Sequence, residues 1–145
     1  MGKDAKAVQR KTILIVEDSI DFSNLMKFII EDDGFVGVQF PVEGTDVVAW
    51  AKEHKPAAIL MDLALRKKGG LQFVEELKAD AETKSIPIIV ITGRDLSSKE
   101  ILDLNIRGVK YLRKGRVEME ELKREIRESA LAPVKKPSKI AKTEQ

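Results

Sequence analysis

Three carboxylates, one hydroxyl and one ammonium stand at the ends of four apolar runs in this 145-residue chain. Ile13-Leu14-Ile15-Val16 leads into Glu17-Asp18, and Ala57-Ala58-Ile59-Leu60-Met61 leads into Asp62. Ile88-Ile89-Val90-Ile91 leads into Thr92, and Val109-Lys110-Tyr111-Leu112-Arg113 leads into Lys114. If the four runs are parallel strands of one sheet, their carboxyl ends share an edge, and ligands bind in the crevice there. Three carboxylates in one small pocket repel each other unless a cation neutralises them. The chain has no cysteine and a single histidine, His54, so hard oxygen ligation is the expected mode. Mg²⁺ suits it, because that ion takes few carboxylates, keeps waters and bridges to phosphate oxygens. Asp62 could then attack phosphorus to give an aspartyl phosphate. Lys114 and the Thr92 hydroxyl would offset charge on the equatorial oxygens of the transferred phosphoryl group.

Positioning these groups requires strands and helices in alternation. Phe22, Leu25, Met26, Ile29 and Ile30 recur at helical spacing after Asp18, with Gly34 as a stop. Residues 35–40 read as a second strand, and 44–54 as a second helix with Val47, Val48 and Ala51 inward and Pro56 beyond its end. Leu71, Val74 and Leu77 mark a third helix. Ser97 with Glu100 forms a capping box for a fourth, and Val117, Leu122 and Ile126 mark a fifth. Five such alternations with short loops predict an α/β fold, a five-stranded parallel sheet with helices on both faces and right-handed crossovers.

Composition bounds the rest. Hydrophobic residues make up 43% of the chain, enough to bury a single core and to argue against global disorder. Absence of cysteine removes disulfides, thiol catalysis and thiolate metal sites. No run approaches the ~20 apolar residues of a membrane span, and Met1–Lys11 has no apolar signal core, so a cytoplasmic protein is expected. The net charge of +2 conceals a polarity: residues 1–11 carry +3, residues 132–145 carry +3, and the body between them carries −4. A basic N-terminal extension over 1–11 and a mobile lysine-rich tail over 132–145 are expected to flank one domain at 12–131. The tail lacks aromatic residues for stacking on single strands, and nucleic acid is not an expected partner.

The acidic pair Glu17-Asp18, Met61-Asp62-Leu63, Val90-Ile91-Thr92-Gly93 and Tyr111-Leu112-Arg113-Lys114 together resemble the receiver domains of two-component response regulators, over roughly residues 12–131. That resemblance implies a (βα)5 flavodoxin-like fold of the CheY-like, single-domain type, with Asp62 as phospho-acceptor. It also implies a Mg²⁺ site at Glu17, Asp18, Asp62 and the backbone carbonyl of Ala64, and a switch through Thr92 and Tyr111. The implied partners are a sensor histidine kinase or phosphotransfer protein, and a downstream protein target on the face of helix 4, strand 5 and helix 5. Such a chain is not a turnover enzyme; it catalyses only its own phosphorylation and dephosphorylation.

Two departures stand out. Gly115 follows Lys114 where the family usually has proline, and Leu65-Arg66-Lys67-Lys68-Gly69-Gly70 places three cations after the acceptor, expected as an exposed basic loop or a contact for acidic partners. Arg94, two residues past Thr92, holds a position that in this family influences phosphate loss. Simpler roles compete for each group: helix caps for Asp62 and the Glu17-Asp18 pair, a turn for Thr92, an exposed strand end for Lys114, packing for Tyr111. His54 is expected to be exposed and silent, and Trp50 to pack on the second helix or lie at the surface. Two other functions stay open. A haloacid-dehalogenase-type phosphotransferase would want a second acid at Ala64, and a phosphorylation-independent receiver-like interaction module would want a lost site group.

Overall fold

The computed structural model describes residues 11–41, 46–63 and 69–132. Apart from Lys11 and Ala132, the predicted terminal extensions lie outside the described residues, as do Ala64 and the Arg66-Lys67-Lys68 loop. Five parallel strands, β1 (Thr12–Val16), β2 (Val36–Gln39), β3 (Ala58–Met61), β4 (Ile88–Thr92) and β5 (Lys110–Arg113), form one sheet in the order β2-β1-β3-β4-β5. The helices are α1 (Ile20–Asp32), α2 (Val47–His54), α3 (Gly70–Ala79), α4 (Ser98–Ile106) and α5 (Met119–Leu131).

Near-continuous apolar strands follow from burial on both faces of a parallel sheet. Successive side chains alternate in direction, so one strand feeds two cores. Leu14, Val16, Ile59, Met61, Ile88 and Val90 pack with Val47, Ala51, Phe73, Val74, Leu77 and Leu104 from α2, α3 and α4. Ile13, Ile15, Leu60, Ile89 and Ile91 pack on the other face with Met26, Ile29, Ile30, Leu122 and Ile126 from α1 and α5.

Local chemistry sets the element ends. Ser19 caps α1, its hydroxyl accepting from the Phe22 N–H at 3.4 Å. Asp46 caps α2 through bonds from the Val48 and Ala49 N–H groups, and α2 ends at Lys55 in the left-handed region, φ 48°, before Pro56. The predicted capping box closes α4 reciprocally: the Glu100 N–H donates to Ser97 Oγ at 3.1 Å and the Ser97 N–H donates to Glu100 Oε1 at 2.9 Å.

Four details differ from expectation. Leu25 is 45% exposed, because Met26, Ile29 and Ile30 take the buried stripe and Leu25 sits one step around the helix. The second strand is shorter than 35–40, although Phe35 and Phe40 at its ends are buried. Val117 precedes α5, which begins at Met119. His54 is half-buried: its ring lies 4.2 Å from that of Trp50, and Nδ1 is 3.0 Å from the Trp50 carbonyl one turn back. Trp50 itself packs edge-on against Phe40 at 5.2 Å. No helix among the described residues is long and apolar enough to cross a membrane.

Candidate functional site

The strand order reverses between β1 and β3, which leaves a crevice at their carboxyl ends. Register brings the predicted groups to it. Val16 pairs with Met61, so Glu17 and Asp62 emerge side by side, and the Asp62 N–H donates to the Val16 carbonyl at 3.0 Å. Thr92 pairs with Arg113, and the Lys114 N–H donates to the Thr92 carbonyl at 2.9 Å, which fixes Lys114 one residue beyond the ladder.

The side chains converge on one ammonium. Lys114 Nζ lies 3.0 Å from Glu17 Oε1 and 3.1 Å from Asp62 Oδ2. Glu17 and Asp62 are buried, 8% and 5% exposed, so this is a desolvated triad in which an unpaired charge would be costly. Thr92 is fully buried, and its Oγ1 accepts from the Arg94 N–H at 3.3 Å. Asp18 is half-buried beside Glu17.

Electrostatics follow from the crowding. Burial pushes the Glu17 carboxyl above its ordinary range and the Asp62 charge adds to this, against the Ser19 N–H and Lys114, which pull it down. At Lys114 burial lowers the ammonium's pKa, but hydrogen bonds to Glu17 and Asp62 outweigh it, and the net direction is upward. Both groups of the Glu17–Lys114 pair are therefore raised. The pair favours ionisation of each, and only at Glu17 does burial win.

Among the described residues two carboxylates share this one ammonium, and Asp18 stands next to them. That donor set suits a hard divalent cation in kind. The side chains do not stand as a ready ligand set: among the described residues, no three acidic or imidazole groups are grouped to hold a metal. The reason is visible in the bonding. Glu17 is engaged through Oε1 to Lys114 and through Oε2 to the Ser19 N–H at 2.9 Å, and Asp62 Oδ2 faces Lys114. A cation here would draw carboxylate oxygens away from the ammonium.

Two simpler roles fall away, that of a helix cap for the Glu17-Asp18 pair and that of an exposed strand end for Lys114, while Tyr111 fits its simpler role of packing. Ser19, not Glu17 or Asp18, caps α1. Lys114 is held by two carboxylates rather than left as an exposed strand end. Tyr111 is half-buried against the core that holds Leu104 and Val109. Arg94 pairs with Glu100 at 3.3 Å, across the start of α4.

Two contributors were not anticipated. Ser19 both caps α1 and orients Glu17, and a serine just ahead of an apolar periodic run was the available signal. Phe22, read as core, lies with its ring centroid 4.1 Å from Lys114 Nζ, a cation–π contact no spacing rule reveals. The segment after Lys114 turns at Gly115 with φ 82°, a conformation glycine adopts without strain, and no cis peptide bond occurs among the described residues.

Comparison with known proteins gives one answer. The profile for the response regulator receiver domain matches residues 13–127. The chain is 33% identical over 107 residues to the phosphate regulon transcriptional regulatory protein PhoB of Klebsiella pneumoniae, covering 72% of this chain and 45% of that protein. It thus spans less than half the length of the PhoB proteins it matches. It is 33% identical over 90 residues to the polar-differentiation response regulator DivK of Brucella anthropi, covering 62% of this chain and 72% of that one. Among solved structures, the receiver domain of sensor histidine kinase PA1611 from Pseudomonas aeruginosa, with a magnesium ion coordinated in its active site cleft, is 26% identical, with a TM-score of 0.71 over 86% of this chain and 99% of that one. The chemotaxis protein CheY4 of Vibrio cholerae shares the fold, with a TM-score of 0.71 at 21% identity over 83% of this chain and 98% of that one. With its sheet order, its acidic crevice and this coverage, the chain belongs to the response regulator receiver domain family of two-component signalling.

Proposed function

We propose that this chain accepts a phosphoryl group on Asp62 from a phosphohistidine on a sensor kinase or phosphotransfer protein, and signals by protein contact. The observation that carries this reading is the Lys114 ammonium held between two buried carboxylates, at 3.0 Å from Glu17 and 3.1 Å from Asp62, with buried Thr92 on the next strand. An Asp62 oxygen attacks phosphorus as the P–N bond to the donor imidazole breaks. The imidazole leaves with the electron pair and takes up a proton. Lys114 then exchanges a carboxylate for a phosphoryl oxygen, and the Thr92 hydroxyl turns from the Arg94 N–H to donate to another. A magnesium ion held by Glu17, Asp18, Asp62 and the carbonyl of Ala64 would supply neutralising charge to those oxygens. The chain acts on its own Asp62 only, in the cytoplasm, and does not turn over other substrates.

Output follows from the neighbourhood of Thr92. Moving its hydroxyl frees space beneath α4, and Tyr111 on β5 rotates inward. α4 exposes Leu102 and Ile106, 59% and 75% accessible, and α5 begins with the half-exposed Met119, apolar surface that suits a protein partner. Beryllofluoride, a stand-in for the phosphoryl group, is expected to shift NMR signals across Ser97–Arg107 and Val109–Lys114. Thr92→Ala should uncouple those shifts from occupancy of the site. Shifts confined to the surroundings of Asp62 would instead favour a phosphorylation-independent interaction module.

A further inference from the structure

The Lys114 ammonium has a third neighbour besides Glu17 and Asp62: the ring of Phe22, with its centroid 4.1 Å from Nζ. The backbone alone fixes that ammonium loosely. The Lys114 N–H donates to the Thr92 carbonyl, which sets where the side chain starts. Where it ends is left to a flexible four-carbon stem. The stem runs past Gly93, where a Cβ would lie 3.7 Å from Lys114 Cβ and 3.8 Å from Cδ, so bare backbone borders it. Beyond Lys114 the chain turns at Gly115, φ 82°, which has no side chain to support the stem.

One capped turn delivers both a carboxylate and the ring. The Phe22 N–H donates to Ser19 Oγ at 3.4 Å, and the Ser19 N–H donates to Glu17 Oε2 at 2.9 Å. The same serine thus sets two of the three groups that meet Nζ. Phe22 also has a simpler role. It is partly buried and packs on the core that holds Ile13, Ile15, Met26 and Ile29. Packing accounts for an apolar residue at this place on the α1 stripe, and an aliphatic side chain would serve that end. It does not account for an aromatic ring set against an ammonium, well inside the ~6 Å at which a ring face attracts a cation.

The contact matters when a carboxylate lets go. Transfer to Asp62 requires Lys114 to trade a carboxylate for a phosphoryl oxygen. At that moment a side chain 24% exposed on a flexible stem is open to water. A ring face attracts the ammonium through its quadrupole, leaves the phosphoryl oxygens free, and stays in place because α1 carries it. We propose that Phe22 is a positioning residue, whose ring holds the Lys114 ammonium in the crevice while Nζ passes from a carboxylate to the phosphoryl oxygen. This rests on the reading of Asp62 as the acceptor.

The test reads the contact and the transfer separately. In ¹H–¹³C NMR of the full chain without phosphodonor, the ring current should move the Lys114 Hε signals upfield of the ordinary lysine range. Phe22→Leu should return them to it. Labelling of Asp62 by acetyl phosphate should slow about fivefold in Phe22→Leu, as expected for loss of a partly desolvated cation–π contact. Phe22→Tyr should keep the wild-type rate. A phenylalanine fluorinated on its ring, installed in place of Phe22, keeps the packing and weakens the π face. It should slow labelling without lowering the denaturation midpoint. In Lys114→Ala, Phe22→Leu should slow labelling no further. Ordinary Lys114 shifts in the wild type, a wild-type rate with the fluorinated ring, a Phe22→Tyr rate as low as that of Phe22→Leu, or the same slowing in the Lys114→Ala background would each overturn the proposal. A label that maps away from Asp62 while the Lys114 shift stands would overturn the acceptor reading, and the proposal with it. A label on Asp62 with ordinary Lys114 shifts would overturn the proposal alone.

Discussion

The two edges of this sheet are opposites built from the same five strands. At the carboxyl edge the charged groups are few, buried and committed to each other: Glu17 and Asp62 share Lys114 within 3.1 Å. At the amino edge four cations line an open cleft on long stems, and carboxylates meet two of them: Asp103 and Glu75 at Arg107, Glu125 and Glu128 at Lys110. A parallel sheet makes this division possible, because every strand starts at one edge and ends at the other. The difference in burial sets what each edge can do. Desolvated charges held at hydrogen-bond distance have fixed geometry, which chemistry on a phosphoryl group requires. Half-exposed lysines and arginines on long stems keep their rotamer freedom, and surface pairs of this kind contribute little to stability.

The largest effect should come from the core both edges share. Phe73 is fully buried and meets Phe40 edge-on at 5.9 Å, so Phe73→Ala should cost about 3–5 kcal/mol in chemical denaturation. Both edges should loosen together. A loss of order in NMR spectra at one edge alone would show that they are separately supported.

Next comes Lys114→Ala, which acts on the carboxyl edge only. It removes the donor between Glu17 and Asp62 and should slow phosphorylation by a small phosphodonor on the order of 100-fold. Stopped-flow fluorescence of Trp50 or quantitative phosphoprotein gels would read the rate. An unchanged rate would mean that Lys114 serves structure rather than transfer.

Gly70→Ala should have a smaller effect, confined to the acceptor strand. A Cβ at Gly70 would lie 2.5 Å from the Asp62 carbonyl oxygen and 2.6 Å from Leu63 Cα. Alanine's helix propensity favours it by about 1 kcal/mol, but the clash is with backbone that cannot swing aside, and overpacking of this kind costs about 1–3 kcal/mol. The net expectation is mild destabilisation with slower labelling of Asp62, while signals from Lys78 and Lys110 stay in place. Perturbation of the amino edge by this substitution would break the separation of the two.

The edges also differ in how far the sequence reveals them. Glu17, Asp18, Asp62, Thr92 and Lys114 each follow an apolar run directly, so a parallel sheet gathers them without further assumption. The strands themselves were legible because burial on both faces leaves them almost wholly apolar. Lys11, Lys78, Arg107 and Lys110 have no such signature. They sit before a strand, late in a helix, at a helix cap and at a strand start, and only the packing of α3, α4 and α5 brings them together. Within the carboxyl edge the same limit applies. Phe22 lies on the periodic stripe of α1, and nothing in the stripe distinguishes a ring that packs in the core from one that meets Lys114. Leu25 satisfied the spacing and still faces outward, because a stripe of apolar residues can be wider than the surface available to cover it.

The most direct test of the carboxyl edge is to locate the phosphoryl group. The chain is incubated with acetyl phosphate and Mg²⁺, the acyl phosphate is trapped with borohydride, and the peptides are mapped by mass spectrometry. The label should fall on Asp62 alone and vanish in Asp62→Ala. A label on another residue, or one that persists in Asp62→Ala, would contradict the assignment of Asp62 as the acceptor.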